Sequence, residues 1–162
     1  MNTKEKAFLV ADKAHSNQSY DIYPYGYHIR HVVRIAEELG YDESIIVACI
    51  LHDTLEDTSL SYNDIKNSFG EEVAEIVYCV TDELGRNRKE RKEKTYPKIR
   101  ENYKAVIVKI CDRIANIEHS KKEGNKSLLE MYKKEHALFK EMIKNPHVEI
   151  VRAWVRLEDI FN

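Results

Sequence analysis

The sequence predicts an all-α fold. Only three prolines and five glycines interrupt the 162 residues, and the apolar residues between them recur mostly at helical spacing. A chain of this length can bury roughly two-thirds of its unfolded surface in a single core. No internal repeat or low-complexity linker divides it. We therefore predict one helical domain that spans residues 1–162.

Nine helices are predicted in order along the chain. They cover about residues 2–17, 26–39, 43–54, 61–68, 70–83, 88–101, 103–122, 126–144 and 147–160. Two apolar runs, Ile45–Leu51 and Val106–Val108, would also fit buried strands. We favour helix because Asp42 and Glu43 suit a helix start, each run continues at helical spacing, and no partner strand is evident.

Composition limits the classes of partner. Lys and Arg number 26 against 28 for Asp and Glu, so no overall field favours a nucleic-acid polymer or an acidic membrane. The apolar runs are far shorter than the roughly 18 residues that span a bilayer. The charged start of the chain lacks the apolar centre of a signal peptide. We expect a cytoplasmic protein with no membrane partner.

The three cysteines, Cys49, Cys79 and Cys111, lie among apolar residues and have no close-paired spacing. This pattern is typical of reduced thiols in a core rather than of disulfides or a zinc knuckle. We do not expect them to bind a metal.

The most informative feature is a charged cluster at the end of the apolar run Ile45–Leu51. His52 and Asp53 end that run, and Glu56 and Asp57 follow at once. Burying such groups costs several kcal/mol unless they are paired or coordinate a metal. A divalent cation is the simplest explanation, and an acidic patch at the surface is the alternative.

The second predicted helix offers another histidine. At 100° per residue, His28 falls on the same face as the apolar residues Val32 and Ile35, so it points inward. A core histidine with a hydrogen-bonding partner is the alternative interpretation. His31 lies at the edge of this face and is a weaker candidate.

A polar stripe runs along the predicted helix 103–122. Lys109, Asp112 and Asn116 fall within about 60° of one another, between two apolar flanks. The helix would present one cation, one carboxylate and one amide to a shared cavity. Alternatively, Asp112 only forms an ion pair with Lys109 or Arg113.

Four of these side chains make a plausible set of metal ligands. His28, His52, Asp53 and Asp112 supply two nitrogens and two carboxylates from three helices, which suits manganese, iron, zinc or a magnesium-like ion. The carboxylates of Glu56 and Asp57 then remain for acid–base work on a water molecule beside the metal.

Positive charge is concentrated in the segment Arg86–Arg100, which carries a net charge of +6. We expect Arg91 and Lys92 to contact phosphate, because Arg and Lys side chains are its usual protein partners. Tyr20 and Tyr23, two of ten tyrosines, could provide stacking surfaces for a base. The alternatives are a solvated charged face and ordinary aromatic core packing.

The order of these residues resembles the HD-domain metal phosphohydrolases. More specifically, the segments LHDTLEDT (Leu51–Thr58), FGEEVAEIVYCVTD (Phe69–Asp82) and VKICDRIANIE (Val108–Glu118) are similar to the hydrolase domain of RelA/SpoT proteins and to the free-standing small alarmone hydrolases, including metazoan SpoT homologues. The similarity covers roughly residues 7–120. An HD pair alone is weak evidence, but HD followed by ED, FG, VTD and DRxxN in this order is specific.

The resemblance implies an α-helical enzyme of the stringent response that hydrolyses (p)ppGpp to GDP or GTP and pyrophosphate, usually with manganese. It implies that the metal ligands are His28, His52, Asp53 and Asp112. Glu56 and Asp57 match the catalytic acidic pair, and Asn116 matches a nucleotide-contacting asparagine. The segment Glu90–Lys92 resembles a basic segment that follows VTD in the small hydrolases.

The chain departs from the family after its AHxxQ motif, Ala14–Gln18. The family carries an arginine and a lysine there that hold guanine and phosphate, whereas this chain continues with Ser19–Tyr23. In addition, Ile29 replaces a common proline, and Ile114-Ala115 replaces a larger pair before Asn116. We expect the Ser19–Tyr23 segment, through Tyr20 and Tyr23, to decide which base is accepted.

Two other functions remain open at this point. One is a different HD-type nucleotidase or phosphodiesterase with another base preference. The other is a non-catalytic nucleotide sensor. The complete set of predicted metal ligands and the presence of both acidic residues argue against it. In each case the expected partner is a small phosphorylated nucleotide, and the chain could form a homo-oligomer.

Overall fold

A computed structural model describes all residues, 1–162, and confirms the all-α prediction. The helices are α1 (Thr3–Ala14), α2 (Tyr25–Glu38), α3 (Glu43–Leu51), α4 (Thr54–Asp57), α5 (Tyr62–Phe69), α6 (Glu71–Val80), α7 (Arg88–Arg100), α8 (Tyr103–Lys122), α9 (Lys126–Met142) and α10 (Val151–Ile160), which a 3₁₀ turn (Val148–Ile150) precedes. A short antiparallel hairpin, β1 (Ser19–Tyr20) and β2 (Tyr23–Pro24), joins α1 to α2.

Helix α8 is the centre of the bundle and packs against α2, α3, α6, α7, α9 and α10. Its isoleucines Ile107, Ile110, Ile114 and Ile117 are fully buried within one core cluster of 38 residues. Because apolar neighbours cover its flanks, the polar stripe of α8 can only be directed into a cavity between helices. The fold thereby places Asp112 inside the molecule.

Both ambiguous apolar runs are helical, as predicted, in α3 and α8. Each helix begins at a residue whose side chain accepts a backbone hydrogen bond: Asp42 accepts from Ile45 N at 3.1 Å, and Asn102 accepts from Ala105 N at 3.2 Å. These caps satisfy amides that have no partner within the helix. The free cysteines Cys49, Cys79 and Cys111 are buried, as expected for core thiols.

Three predicted helices end three residues early, including the fifth, which stops at Val80 rather than at residue 83. The first stops at Ala14 rather than at residue 17, and the hairpin Ser19–Pro24 was not predicted. Asp21 turns the hairpin with φ of 57°, a left-handed conformation that aspartate tolerates better than most residues. The third helix stops at Leu51 rather than at residue 54.

The early end of α3 shapes the site. The Nδ1 atom of His52 lies 2.7 Å from Cys49 O, and Thr54 Oγ1 donates to Leu51 O at 2.7 Å. Side chains thus occupy carbonyls that a continuing helix would need. The backbone turns at Asp53, and α4 starts in a new direction. None of the helices has both the length and the apolar character to cross a bilayer.

Candidate active site

The turn between α3 and α4 meets α2 and α8 at a group of four side chains. His28 Nε2 of α2 lies 2.9 Å from Asp112 Oδ1 of α8. His52 Nε2 lies 3.0 Å from Asp53 Oδ2 and 3.3 Å from Asp112 Oδ1. The structure therefore brings together all four residues that the sequence nominated as metal ligands.

The chemistry of this group fits a divalent cation. The Nδ1 atom of His52 is committed to the Cys49 carbonyl, an arrangement that typically fixes a metal-binding histidine and leaves Nε2 to the metal. Nε2 of His52 is buried and has no hydrogen-bond partner of acceptable geometry. One ligand atom from each of His28, His52 and Asp53 lies within 4.8 Å of the others.

The electrostatics of the group favour positive charge at this position. Burial alone would lower the pKa of the His52 imidazole, but the carboxylates of Asp53 and Asp112 raise it well above its usual range. Burial opposes ionisation of Asp112, yet His52 and His28 hold the pKa of that carboxyl well below its usual range. Positive charge is thus strongly favoured here, and a bound cation supplies it without protonating the histidines.

Glu56 and Asp57 lie beside this group on α4. Carboxylate oxygens of Asp53, Glu56 and Asp57 lie within 4.8 Å of one another, and Glu56 Oε1 accepts a hydrogen bond from Asp82 N at 2.7 Å. Partial burial raises the pKa of Glu56. Burial and the nearby charge of Asp53 raise the pKa of Asp57. Both carboxylates are therefore better proton acceptors than ordinary surface acids.

Tyr25 is a site residue that sequence reasoning missed. Its hydroxyl donates to Asp53 Oδ2, and its ring lies against the His15 ring with centroids 4.4 Å apart. Its position was a usable signal, because Tyr25 precedes His28 by three residues and therefore shares its face of α2.

The AHxxQ motif contributes His15 and Gln18, which contact residues next to the acidic side chains of the site. His15 Nδ1 lies 2.9 Å from Gln18 Oε1, and Gln18 Nε2 donates to the Asp57 carbonyl at 2.7 Å. The end of α1 is thus connected through Gln18 to α4, and through His15 and Tyr25 to Asp53. These contacts hold in place the carboxylates that the site needs.

We expect Tyr25→Phe to weaken metal binding roughly 10-fold, because hydrogen-bonding partners of metal ligands typically contribute 10–100-fold to affinity. Isothermal titration with manganese measures this directly. Tyr62→Phe is the matched control, since the Tyr62 hydroxyl donates to Glu75 on the surface. Equal metal affinity of the Tyr25→Phe variant and the parent protein would show that Tyr25 does not position Asp53.

His28, His52, Asp53 and Asp112, which we call the metal group, line a cavity of about 380 Å³. Positive side chains from α7 and α8 also line it: Arg88, Arg91, Lys92, Lys109 and Arg113. A cavity of this size and polarity suits a small, charged ligand. Of the predicted substrate contacts, those that line it are Tyr20, Arg91, Lys92, Lys109 and Asn116.

Two of these lysines are held by acidic partners. Lys92 Nζ donates to both carboxylate oxygens of Asp82 at 2.9 Å, and burial together with the nearby charge of Lys109 lowers the pKa of Lys92 to about 8. Lys109 Nζ lies 3.6 Å from Asp112 Oδ2. The ion pair of Asp112 with Lys109 therefore coexists with the histidine contacts, whereas Arg113 pairs elsewhere.

The two hairpin tyrosines differ. Tyr20 lines the cavity, where its ring stacks on the His28 ring with centroids 4.4 Å apart and its hydroxyl donates to Asn116 Oδ1 at 2.6 Å. Tyr23 does not line the cavity; its ring stacks on Tyr27, and its hydroxyl donates to Glu123. Because of this, the geometry does not support the predicted substrate contact of Tyr23.

The structure also locates His31 and three cavity residues that the sequence analysis did not assign to the site. His31 Nε2 lies 3.4 Å from Glu118 Oε2, in an ion pair rather than in the metal group. Arg88, Arg113 and Tyr132 line the cavity but were not predicted to. The basic segment was a signal for Arg88, whereas Tyr132 reaches the cavity only through the packing of α9 on α8.

Known proteins are similar to this chain in sequence. A guanosine-3′,5′-bis(diphosphate) 3′-pyrophosphohydrolase of Aquifex aeolicus is 34% identical over 141 residues, which are 79% of this chain and 20% of that protein. The guanosine-3′,5′-bis(diphosphate) 3′-pyrophosphohydrolase MESH1 of Drosophila melanogaster is 29% identical over 96 residues, 56% of this chain and 54% of that protein. The chain thus spans between a fifth and about half of the length of these curated relatives.

The fold has a solved counterpart in a metazoan ortholog of SpoT that hydrolyses ppGpp. That structure superposes with a TM-score of 0.81 at 22% identity and covers 99% of this chain and 94% of its own. The family model described as HD domain matches residues 7–145 and so includes all four clustered histidines and aspartates. This chain belongs to the HD domain family.

Proposed function

We propose that this protein is a metal-dependent phosphohydrolase that converts guanosine 3′,5′-bis(diphosphate), or its 5′-triphosphate form, into GDP or GTP and pyrophosphate. The observation that carries the proposal is the group of His28, His52, Asp53 and Asp112 beside Glu56 and Asp57, in a cavity that five cationic side chains also line. The activity named for the relatives in Aquifex and Drosophila supports this choice of substrate.

We propose manganese as the metal, held by His28, His52, Asp53 and Asp112. Two imidazoles and two carboxylates form a mixed nitrogen and oxygen set that suits this ion, and other divalent ions also accept such ligands. A bound divalent cation would neutralise phosphate charge and make water more acidic. Tyr25 keeps the Asp53 carboxylate oriented for this role.

The protein residues then act in a defined order. Glu56 and Asp57 orient the attacking water and accept its proton, for which their raised pKa values suit them. The water oxygen bonds to the phosphorus carried by the ribose 3′-oxygen. The bond between that phosphorus and the 3′-oxygen breaks, pyrophosphate leaves, and the 3′-oxygen takes up a proton.

Cations that line the cavity stabilise the pyrophosphoryl group during its transfer from the 3′-oxygen to water. Arg91, Lys92 and Lys109 line the cavity, where their side chains offset the negative charge on the phosphate oxygens of that group. On the hairpin side, Tyr20 and Asn116 offer a ring and an amide for the nucleoside. Such contacts can discriminate between bases only where the site hydrogen-bonds to the base edge.

A second candidate function is another HD-type nucleotidase with a different base preference. The observation that favours it is Tyr20, whose hydroxyl is already bonded to Asn116. The chain has Ser19–Tyr23 where the family carries arginine and lysine. An adenine nucleotide with a 3′-pyrophosphate would present the same reacting group to the same metal site.

The test is a panel of nucleotides incubated with the manganese-loaded protein, with the masses of all products recorded. We expect guanosine 3′,5′-bis(diphosphate) to give GDP and pyrophosphate, and GTP to remain intact. A chelator is the control, because it should stop turnover. Preferential hydrolysis of the adenine analogue would support the second candidate. Metal-loaded protein that binds these nucleotides without hydrolysing any of them would be a sensor.

A further inference from the structure

We propose that Arg88 and Arg113 form a second anion subsite, which holds the 5′-phosphates of the nucleotide while the 3′-pyrophosphate lies at the metal end of the cavity. This inference rests on the proposed function for the identity of the reacting group. It adds the residues that select a nucleotide phosphorylated at two positions.

A single carboxylate joins the two guanidinium groups. Glu135 of α9 accepts from Arg88 Nε at 2.9 Å and from Arg88 Nη2 at 3.1 Å. The same carboxylate accepts from Arg113 Nη2 at 3.0 Å. Two positive charges therefore share one negative charge, and one positive charge is left over beside the cavity. The Nη1 atoms of both arginines make no hydrogen bond to the protein and remain available to a ligand.

One of the two arginines is shielded from water, whereas the Arg88 side chain is 41% exposed and reaches the solvent. Arg113 is only 3% exposed, and its Nε atom is buried without a partner. Its guanidinium group lies 4.0 Å from the centroid of the Phe139 ring, which fixes its plane. A buried charge that is only partly compensated favours a bound counter-ion. Because Glu135 and Phe139 already orient the arginines, a ligand need not order them when it binds.

The remaining paired cations do not offer such a site. Lys92 pairs with Asp82 and Lys109 pairs with Asp112, so neither pair carries two positive charges on one carboxylate. Phosphate is the ligand of choice for the Arg88–Arg113 pair, because planar guanidinium groups match its oxygens with two parallel hydrogen bonds.

The two ends of the cavity therefore recognise phosphate in different ways. At the Asp53 end, carboxylates would repel a phosphate unless a cation lies between them. At the Arg88 end, guanidinium groups bind it directly. Both sets of residues line one cavity of about 380 Å³, so a compact molecule with phosphates at two positions can contact both at once.

The experiment compares two substrates in two variants. The substrates are guanosine 3′,5′-bis(diphosphate) and guanosine 3′-diphosphate, which has a free 5′-hydroxyl. Arg88→Ala should lower kcat/KM for the first substrate at least about 10-fold, the size expected for losing a hydrogen bond between charged groups. For the second substrate, kcat/KM should stay within about twofold of the parent value.

Lys89→Ala is the matched control. It removes the same charge from the same helix, but the Lys89 side chain is 84% exposed and does not line the cavity. It should leave kcat/KM for both substrates nearly unchanged. An equal loss on both substrates in Arg88→Ala would mean that Arg88 serves the reacting phosphate or the fold, and this would overturn the subsite.

Binding of GDP separates this proposal from the proposed function, because GDP has no 3′-pyrophosphate to hydrolyse. Isothermal titration should show that Arg88→Ala weakens GDP binding roughly 10-fold and that Lys89→Ala does not. This result supports the subsite even if neither bisphosphorylated substrate is hydrolysed. A dissociation constant for GDP that Arg88→Ala leaves unchanged, or no GDP binding by the parent protein, overturns it.

Discussion

Asp53→Asn should abolish most metal binding and nearly all hydrolysis while leaving the fold helical. The carboxylate of Asp53 lies 3.0 Å from His52 Nε2 and accepts a hydrogen bond from Tyr25. Its amide counterpart is neutral and binds a divalent cation much more weakly. The loss of metal affinity should exceed the roughly 10–100-fold that outer hydrogen-bonding partners contribute. Metal content after gel filtration, together with turnover on the nucleotide panel, measures both effects.

At neutral pH the metal-free variant should unfold somewhat more easily than the metal-free parent protein. Burial and the charge of Asp112 oppose ionisation of Asp53, but His52 and His28 outweigh them and lower its pKa to about 2. The charged carboxylate therefore stabilises the folded state, and the neutral amide loses that contribution. Asp159→Asn makes the same chemical change at an exposed position of α10 and should retain metal and activity. An Asp53→Asn variant with full metal content and normal turnover would exclude Asp53 as a ligand.

The helical fold could be predicted because its signals are local. The apolar spacing of α2 and α8 identifies their buried faces, and Asp42 marks the start of α3. The hairpin Ser19–Pro24 was missed because two-residue strands have too few residues to show alternation. The end of α3 was missed because it depends on hydrogen bonds that the carbonyls of Cys49 and Leu51 accept from the side chains of His52 and Thr54.

The metal group was accessible from the sequence because each member conflicts with its surroundings. His28, Asp53 and Asp112 are polar groups on otherwise apolar helices, and such conflicts commonly mark functional sites. Contacts made across the bundle give no such signal. The sharing of Glu135 by Arg88 and Arg113 links three helices and depends on the packing of α9, which no spacing along the chain reveals.

The substrate contact of Tyr23 stays a prediction, which its position does not favour. Tyr20 and Tyr23 pair directly across the hairpin, so they lie on the same face of it, and they differ in the partners that their side chains reach. Tyr20 faces His28, whereas the hydroxyl of Tyr23 faces Glu123. Residue type predicted a stacking surface for both, but the contacts of each side chain show that only Tyr20 lines the cavity.

Glu56→Gln should lower the turnover number roughly 10²-fold or more while metal binding is retained, which is the loss expected for a general base. This substitution should leave the hydrogen bonds around residue 56 unchanged. Glu56 Oε1 accepts the backbone hydrogen bond from Asp82 N at 2.7 Å, and the amide oxygen of glutamine can accept the same bond. The variant therefore loses the ability to take up a proton but keeps its local structure.

The pH dependence gives a second measure of the same role. Partial burial raises the pKa of Glu56, so in the parent protein the rate should fall as the pH drops through that raised pKa and Glu56 becomes protonated. Glutamine does not titrate, so the Glu56 contribution to this acid limb should disappear from the residual rate of the variant. Glu101→Gln, at an exposed position beside Arg100, is the matched control and should keep both the rate and the acid limb. A metal-loaded Glu56→Gln variant with a near-normal rate would assign the proton transfer to Asp57 alone, because Asp57 is the other carboxylate that lies beside Asp53.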